Sequence, residues 1–278
     1  MGHSSKHDGT GVSLSQIIAL HGFPDGPKTF EPLRSALESA GFNLSCPFLP
    51  GHDRGSLARF QDACRRDSPV EAALSLLLED LPREPVHLIG HDWGAVLGYA
   101  LTAIAPERFL SFSALSIPPL DAPLAQARAH PLGLLRFWYI ALFQVPYLGE
   151  RLASDPRFID TLITRFSPGF VLPPTLRSDI HARYADRPLL SAVLAYYRSL
   201  KYPSTWRRFA PPSPVPTLVL HGALDGCFPP AIFPEAVRHS RRPTQLVTLE
   251  GCGHFPHLER PEAVLGRLLA FLSRTRSD

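Results

Sequence analysis

Residues 90–94 read Gly-His-Asp-Trp-Gly, directly after the apolar run 86–89 and before a helical pattern that opens at Ala95. Two glycines, each two residues from a central Asp92 at a strand-to-helix junction, match the G-x-S-x-G turn that lifts a nucleophile out of a sheet, with Asp92 in the place of serine. Glycine is required on both sides because the bend is sharp and neighbouring backbone comes close. A helix-capping role would account for Asp92 but not for both glycines. The aspartate changes the chemistry. With a reference pKa of ~3.9 such a group is ionised at neutral pH and attacks without help from a base. On a saturated carbon it displaces a leaving group and becomes an alkyl ester that water can cleave, whereas an alkylated serine would be a dead-end ether. The substrate implied is an alkylating electrophile, an epoxide or an alkyl halide.

Cleaving that ester requires a base for water and a group to orient the base. Gly251-Cys252-Gly253-His254 follows an apolar run at 245–249, and His221-Gly222-Ala223-Leu224-Asp225 follows another at 215–220. Asp225 and His254 are therefore the candidate acid and base, in the chain order nucleophile, acid, histidine. With 12 histidines in the chain, the choice of His254 rests on its position after a strand. His257 is the second choice, and Asp121 is a weaker alternative acid.

Short apolar runs alternate with amphipathic stretches over most of the chain. Strands are expected at 16–20, 43–49, 86–89, 109–117, 215–220 and 245–249, and helices at 28–40, 69–81, 95–105, 230–239 and 261–272. Alternation of this kind predicts a mostly parallel sheet of about six strands with helices on both faces, because parallel strands need crossovers. Its ligand site belongs beyond the carboxyl ends of the strands, where the loops at His21, Gly90 and His221 begin. Between Pro118 and Pro214 the pattern is helical only, with proline clusters at both ends. This divides the chain into an α/β core at 1–118 and 215–278 and an inserted helical cap at 119–214. The segment Gly51-His52-Asp53-Arg54-Gly55 imitates the nucleophile turn, but Pro50 precedes it and no helix is expected promptly after it. It reads as a loop lining the other side of the pocket.

Composition narrows the function classes. Lys plus Arg is 28 against 25 for Asp plus Glu, and the arginine doublets are scattered, which argues against nucleic acid as a partner. Four cysteines without metal spacing, in a chain able to build its own core, suggest neither a disulfide scaffold nor a metal. No apolar run reaches the ~18 residues of a membrane span, and the polar start has no signal-peptide pattern. Met1-Gly2 suggests myristoylation, but Lys6 stands where that motif wants Ser or Thr. The expectation is a cytoplasmic protein with a small-molecule substrate and no cofactor. Whether it is a monomer or a homodimer is left open.

Taken together, His21-Gly22-Phe23-Pro24, the Gly90–Gly94 turn, the helical insert, His221 to Asp225 and Gly251 to His254 resemble the α/β-hydrolase superfamily, and most closely its epoxide hydrolases. The resemblance covers nearly the whole chain. It implies a cis bond before Pro24 and an oxyanion hole formed by the backbone N–H groups of Phe23 and Trp93. It also implies two cap tyrosines that hold and protonate the epoxide oxygen, which fall here on Tyr139 and Tyr197. Tyr196 is the nearest rival to Tyr197, and Tyr147 and Tyr184 are weaker ones. Haloalkane dehalogenases share the Asp turn and the tryptophan after it, but they commonly clamp halide with an Asn where Phe23 stands. Haloacetate dehalogenases favour arginines just after the nucleophile, where Trp93-Gly-Ala-Val-Leu97 offers none. A haloalkane or haloacid dehalogenase and a non-catalytic ligand-binding homologue remain as the alternatives. One departure from the superfamily is the short stretch before Gln16, which leaves little room for the usual pair of antiparallel strands at the start.

Overall fold

A computed structural model describes residues 14–120, 135–209, 211–240 and 244–275. Six strands, β1 (Ser15–Leu20), β2 (Phe42–Ser45), β3 (Val86–His91), β4 (Phe109–Leu115), β5 (Thr217–Gly222) and β6 (Thr244–Leu249), form one parallel sheet in the order β2-β1-β3-β4-β5-β6. The register aligns Leu20 with Gly90, His91 with Leu115 and Gly222 with Leu249. The carboxyl ends of β1, β3 and β5 therefore open on one side, and the candidate loops leave from there.

Alternation along β1 divides the core. Ile17 and Ala19 face one layer with Ile89, Leu115, Leu218 and Leu220, packed by α1 (Glu31–Ser39) and the last helix (Pro261–Leu272). Ile18 and Leu20 face the other with Leu88, Phe112 and Val219, because successive strand side chains point to opposite faces. That second layer is covered by α2 (Arg54–Ala63), α3 (Pro69–Asp80) and α4 (Trp93–Ile104). Each fully buried Leu or Ile is worth ~1.5–3 kcal/mol relative to exposure, so strands buried on both faces anchor the loops at their ends. Ser68 caps α3 and Pro69 opens it, as their types predict.

Several boundaries differ from the sequence reading, each for a local reason. Strand β2 stops at Ser45, two residues before Pro47, which has no N–H to give a ladder. Strand β5 starts at Thr217, after Pro216, and runs on to Gly222. Helix α2 is the clear correction: it starts at Arg54, directly behind Gly51-His52-Asp53, where no prompt helix was expected. The reason is Asp53, whose carboxylate accepts from the N–H groups of Gly55 (2.9 Å) and Ser56 (3.2 Å) and so caps the first turn. Between β4 and β5 the described residues form helices only: Trp138–Phe143, Leu148–Ala153, Pro156–Phe166, Pro174–Ala185, Arg187–Ser199 and Pro203–Phe209. Among the described residues no helix is long and apolar enough to cross a membrane.

Candidate active site

Asp92 stands between β3 and α4 with φ +48° and ψ −120°, a left-handed conformation that side chains rarely adopt and that occurs where the structure forces it. The two flanking glycines are part of that force. A Cβ on Gly94 would lie 2.1 Å from the Leu20 carbonyl oxygen, and one on Gly90 would lie 2.5 Å from that of Gly94. The turn aims the carboxylate over the end of β1, where the Phe23 N–H donates to Asp92 Oδ1 at 2.8 Å. The peptide bond between Phe23 and Pro24 is cis. Trp93 is the first residue of α4, and the first N–H groups of a helix have no partner in its own ladder.

The second oxygen, Asp92 Oδ2, lies 3.5 Å from His254 Nε2. The opposite ring nitrogen, His254 Nδ1, is 2.9 Å from Asp225 Oδ2. The other oxygen of Asp225 accepts from the N–H groups of Cys227 (2.7 Å) and Phe228 (2.9 Å), which fixes the acid in the loop after β5. Burial opposes a charged His254, but Asp225 and then Asp92 outweigh it, and the imidazole is lifted from 6.5 to about 10. All three side chains are shielded from solvent, with His254 and Asp225 almost completely buried. Asp92, Asp225 and His254 thus meet as the sequence placed them, whereas Asp121 lies outside the described residues.

Tyr139 and Tyr197 both lie near enough to Asp92 for its charge to act on their hydroxyls. Tyr197, on the Arg187–Ser199 helix, packs on Trp93 and Phe23 with ring centroids 5.1 and 5.6 Å away. Tyr139, on the Trp138–Phe143 helix, lies 6.0 Å from Tyr197 centroid to centroid, and its hydroxyl is 3.5 Å from Cys227 Sγ. Burial first, and then neighbouring charge including that of Asp92, pushes both phenols well above 10. Such groups are neutral donors at any physiological pH. The rivals point elsewhere. Tyr196 donates to the Pro50 carbonyl at 2.7 Å, Tyr184 to that of Asp25 at 3.5 Å, and Tyr147 is 88% exposed.

Sequence reasoning gives no role to Asp25 or His91, yet they sit directly behind His254. His91 Nε2 is 2.8 Å from the His254 carbonyl, which can only accept, so that nitrogen carries a proton. His91 Nδ1 is 2.6 Å from Asp25 Oδ2, within hydrogen-bond distance. Burial works against an ionised Asp25, but hydrogen bonds with His21 and His91 outweigh it and hold the carboxyl well below the usual range. Ligand atoms of Asp25, His91 and His257 all lie within 4.8 Å of one another. The first two already pair with each other, and His257, stacked on Phe30 at 4.8 Å, is held neutral by burial. The local signal for Asp25 was its place just after His21-Gly-Phe-Pro24. For His91 it was a polar residue ending a fully buried strand.

A parallel sheet whose third strand ends in a tight turn bearing an acid, with the partner acid and histidine after the fifth and sixth strands, is the α/β-hydrolase arrangement. The chain belongs to that family: residues 17–267 match the model of the alpha/beta hydrolase family. Epoxide hydrolase A of Mycobacterium tuberculosis (strain ATCC 25618 / H37Rv) is 27% identical to it over 293 residues, covering 92% of this chain and 90% of the relative. Two solved structures share the fold. An epoxide hydrolase from Vigna radiata superposes with TM-score 0.72 at 22% identity, covering 94% of this chain and 92% of the other. A loop variant of a haloalkane dehalogenase from Bradyrhizobium elkanii superposes with TM-score 0.70 at 19% identity, covering 94% and 89%.

Proposed function

We propose that the protein is an epoxide hydrolase that forms a vicinal diol through a covalent ester on Asp92. One observation carries this reading: the Asp92 carboxylate is divided between a backbone donor on Oδ1 at 2.8 Å and His254 on Oδ2 at 3.5 Å, among two buried phenols. Oxygen Oδ2 attacks an epoxide carbon while the ring C–O bond breaks. The released alkoxide takes a proton from Tyr139 or Tyr197, since a neutral phenol is the donor available in an apolar pocket. The chain's similarity to a protein named epoxide hydrolase A supports the same reaction class.

Esterification removes the charge of Asp92, one of the two that keep His254 protonated. Its proton affinity falls, its proton returns to the phenolate left by ring opening, and the neutral ring then accepts a proton from water as that water attacks the ester carbonyl carbon. Charge then collects on Oδ1, opposite the Phe23 N–H, with the Trp93 N–H as the second donor. A single donor of this kind commonly contributes about 3 kcal/mol. Collapse breaks the Asp92 Cγ–Oδ2 bond, Oδ2 leaves as a diol oxygen with the proton held by His254, and the water oxygen remains on the carboxylate. No cofactor is required.

Halide displacement finds less support, because Phe23 offers only its backbone N–H and that group is engaged by Asp92. The test is a single-turnover assay with styrene oxide and a parallel panel of haloalkanes. Diol from the wild type, and accumulation of an adduct of the epoxide's mass in His254→Gln, are the expected results. Free halide without diol would replace this reading with dehalogenation, and binding without turnover would replace it with a non-catalytic role.

A further inference from the structure

We infer that Ser167 and Glu259 form a clamp that positions His254, so that the helical insert governs the hydrolytic half of the reaction. The inference rests on the proposed role of His254 as base. Three consecutive backbone N–H groups in the histidine loop are each bound. Gly253 donates to Glu259 Oε2 (2.7 Å), His254 to Ser167 Oγ (2.8 Å) and Phe255 to Glu259 Oε1 (2.9 Å). The Ser167 hydroxyl in turn donates to Glu259 Oε1 at 2.7 Å. One serine from the insert and one carboxylate from the core thereby close a ring of hydrogen bonds around the residue that carries the imidazole.

The surrounding contacts make this junction rigid. Ser167 is fully buried and follows the last residue of the Pro156–Phe166 helix. The Phe166 carbonyl accepts from Gly226, next to the candidate acid, at 2.9 Å, and more loosely from the His254 N–H at 3.2 Å. Neither loop has room for a side chain here. A Cβ on Gly226 would lie 1.7 Å from the Arg165 carbonyl oxygen, and one on Gly253 would lie 2.5 Å from Ser167 Cα. The end of one insert helix is therefore pressed against both loops that supply the base and its partner. The ring of His254 has its own anchor at Asp225, so the clamp sets where that ring hinges, and Ser167 and Glu259 are positioning residues.

The two chemical steps depend on this differently. Alkylation uses the Asp92 carboxylate and the phenols and does not require His254 to take a proton. Hydrolysis does: water's oxygen bonds to the ester carbon, a water proton passes to His254 Nε2, and the Cγ–Oδ2 bond breaks as Oδ2 takes that proton and leaves with the diol. A clamp defect should slow the second step selectively. Displacing a catalytic group by ~1 Å can cost about 10²-fold, and partial loosening should cost about tenfold.

Rapid-quench single turnovers of the full chain with styrene oxide, read by intact mass and diol release, separate the steps. Ser167→Ala should form the adduct within about twofold of the wild-type rate and hydrolyse it about tenfold more slowly, so that adduct accumulates. Glu259→Gln, which leaves one acceptor oxygen for three donors, should give the same split, and it carries the test if Ser167→Ala does not fold. Equal slowing of both steps, or wild-type hydrolysis in a folded variant, overturns the clamp. Failure of His254→Gln to accumulate adduct overturns the underlying reaction. Adduct in His254→Gln with none in Ser167→Ala or Glu259→Gln removes the clamp alone.

Discussion

The strand ends and the helical insert both bring side chains around Asp92, and they hold them by opposite means. Asp92 and Asp225 are fixed by directional bonds: a backbone N–H on one, two on the other, and an imidazole between them. Tyr139 and Tyr197 are fixed by rings. Tyr139 packs on Phe166 at 5.2 Å and Phe143 at 5.6 Å, while Tyr197 packs on Phe143 and Trp93, each at 5.1 Å. The Tyr139 hydroxyl lies 3.5 Å from the Cys227 thiol. Charged groups that attack or take protons need exact orientation, which hydrogen bonds supply. Donors that must follow a leaving oxygen are better served by packing, which restrains the ring and leaves the phenol weakly engaged.

The largest effect should come from the rigid side. Asp92→Asn removes the attacking oxygen, and loss of a nucleophile costs on the order of 10⁴-fold or more. Diol formation should fall to background, and no adduct should be seen by mass. Residual turnover within a hundredfold of wild type would mean that a water, rather than this carboxylate, opens the ring. In that case the contrast between bonded and packed groups would lose its chemical meaning.

The two regions were also unequally legible in the sequence. The core could be read because its signals are local: apolar runs ending in Gly90–Gly94, His221–Asp225 and Gly251–His254 report strands and the turns behind them. Local signals failed where a cap overrode a breaker, as when Asp53 started α2 four residues after Pro50. In the insert, Tyr196 and Tyr197 are adjacent on one helix and so point in different directions by geometry alone. Only a resemblance chose between them. The coordinates separate them physically, with Tyr196 bonded to Pro50 and Tyr197 set against Trp93. Pairs such as Asp25 with His91 and Ser167 with Glu259 are 66 and 92 residues apart. No spacing rule reaches across such distances.

On the packed side, Tyr197→Phe should reduce alkylation by about 10²-fold, the lower range for one positioned acid. Tyr139→Phe should cost less, because Tyr197 keeps the partner that faces Asp92 and Trp93. Both variants should hydrolyse a preformed adduct at close to the wild-type rate. A hydrolysis defect as large as the alkylation defect would show that the phenols hold the carboxylate or its water in place, and the division of labour would fail.

A smaller effect concerns pH. His254 is raised in the fold from 6.5 to about 10 by Asp225 and Asp92, against the opposing effect of burial. A raised folded value means that the charged pair stabilises fully below 6.5 and that this contribution is lost as pH rises through 10. The wild-type Tm should therefore drop between pH 7 and pH 10 by a few degrees more than that of His254→Gln. Parallel curves for the two proteins would show that the stabilising proton is not on His254.

The smallest effect should come from the charges that span the two regions. Arg54, the first residue of α2, pairs with Asp186 at the start of the Tyr197 helix through Nε to Oδ2 at 2.6 Å and Nη2 to Oδ1 at 2.8 Å. The geometry is bidentate, but the arginine is 65% exposed. Exposed pairs of this kind contribute about 0.2–1 kcal/mol, and in about 1 M salt, where the screening length is ~3 Å, less still. Arg54→Ala should therefore shift a urea midpoint slightly at low salt and hardly at all at high salt. Phe143→Ala, which empties a fully buried position among Phe23, Tyr139 and Tyr197, should cost about 3–5 kcal/mol. If the ion pair instead matched the buried ring in cost, the insert would be held to the core by charge, and its tyrosines would respond to ionic strength as the strand-end residues do not.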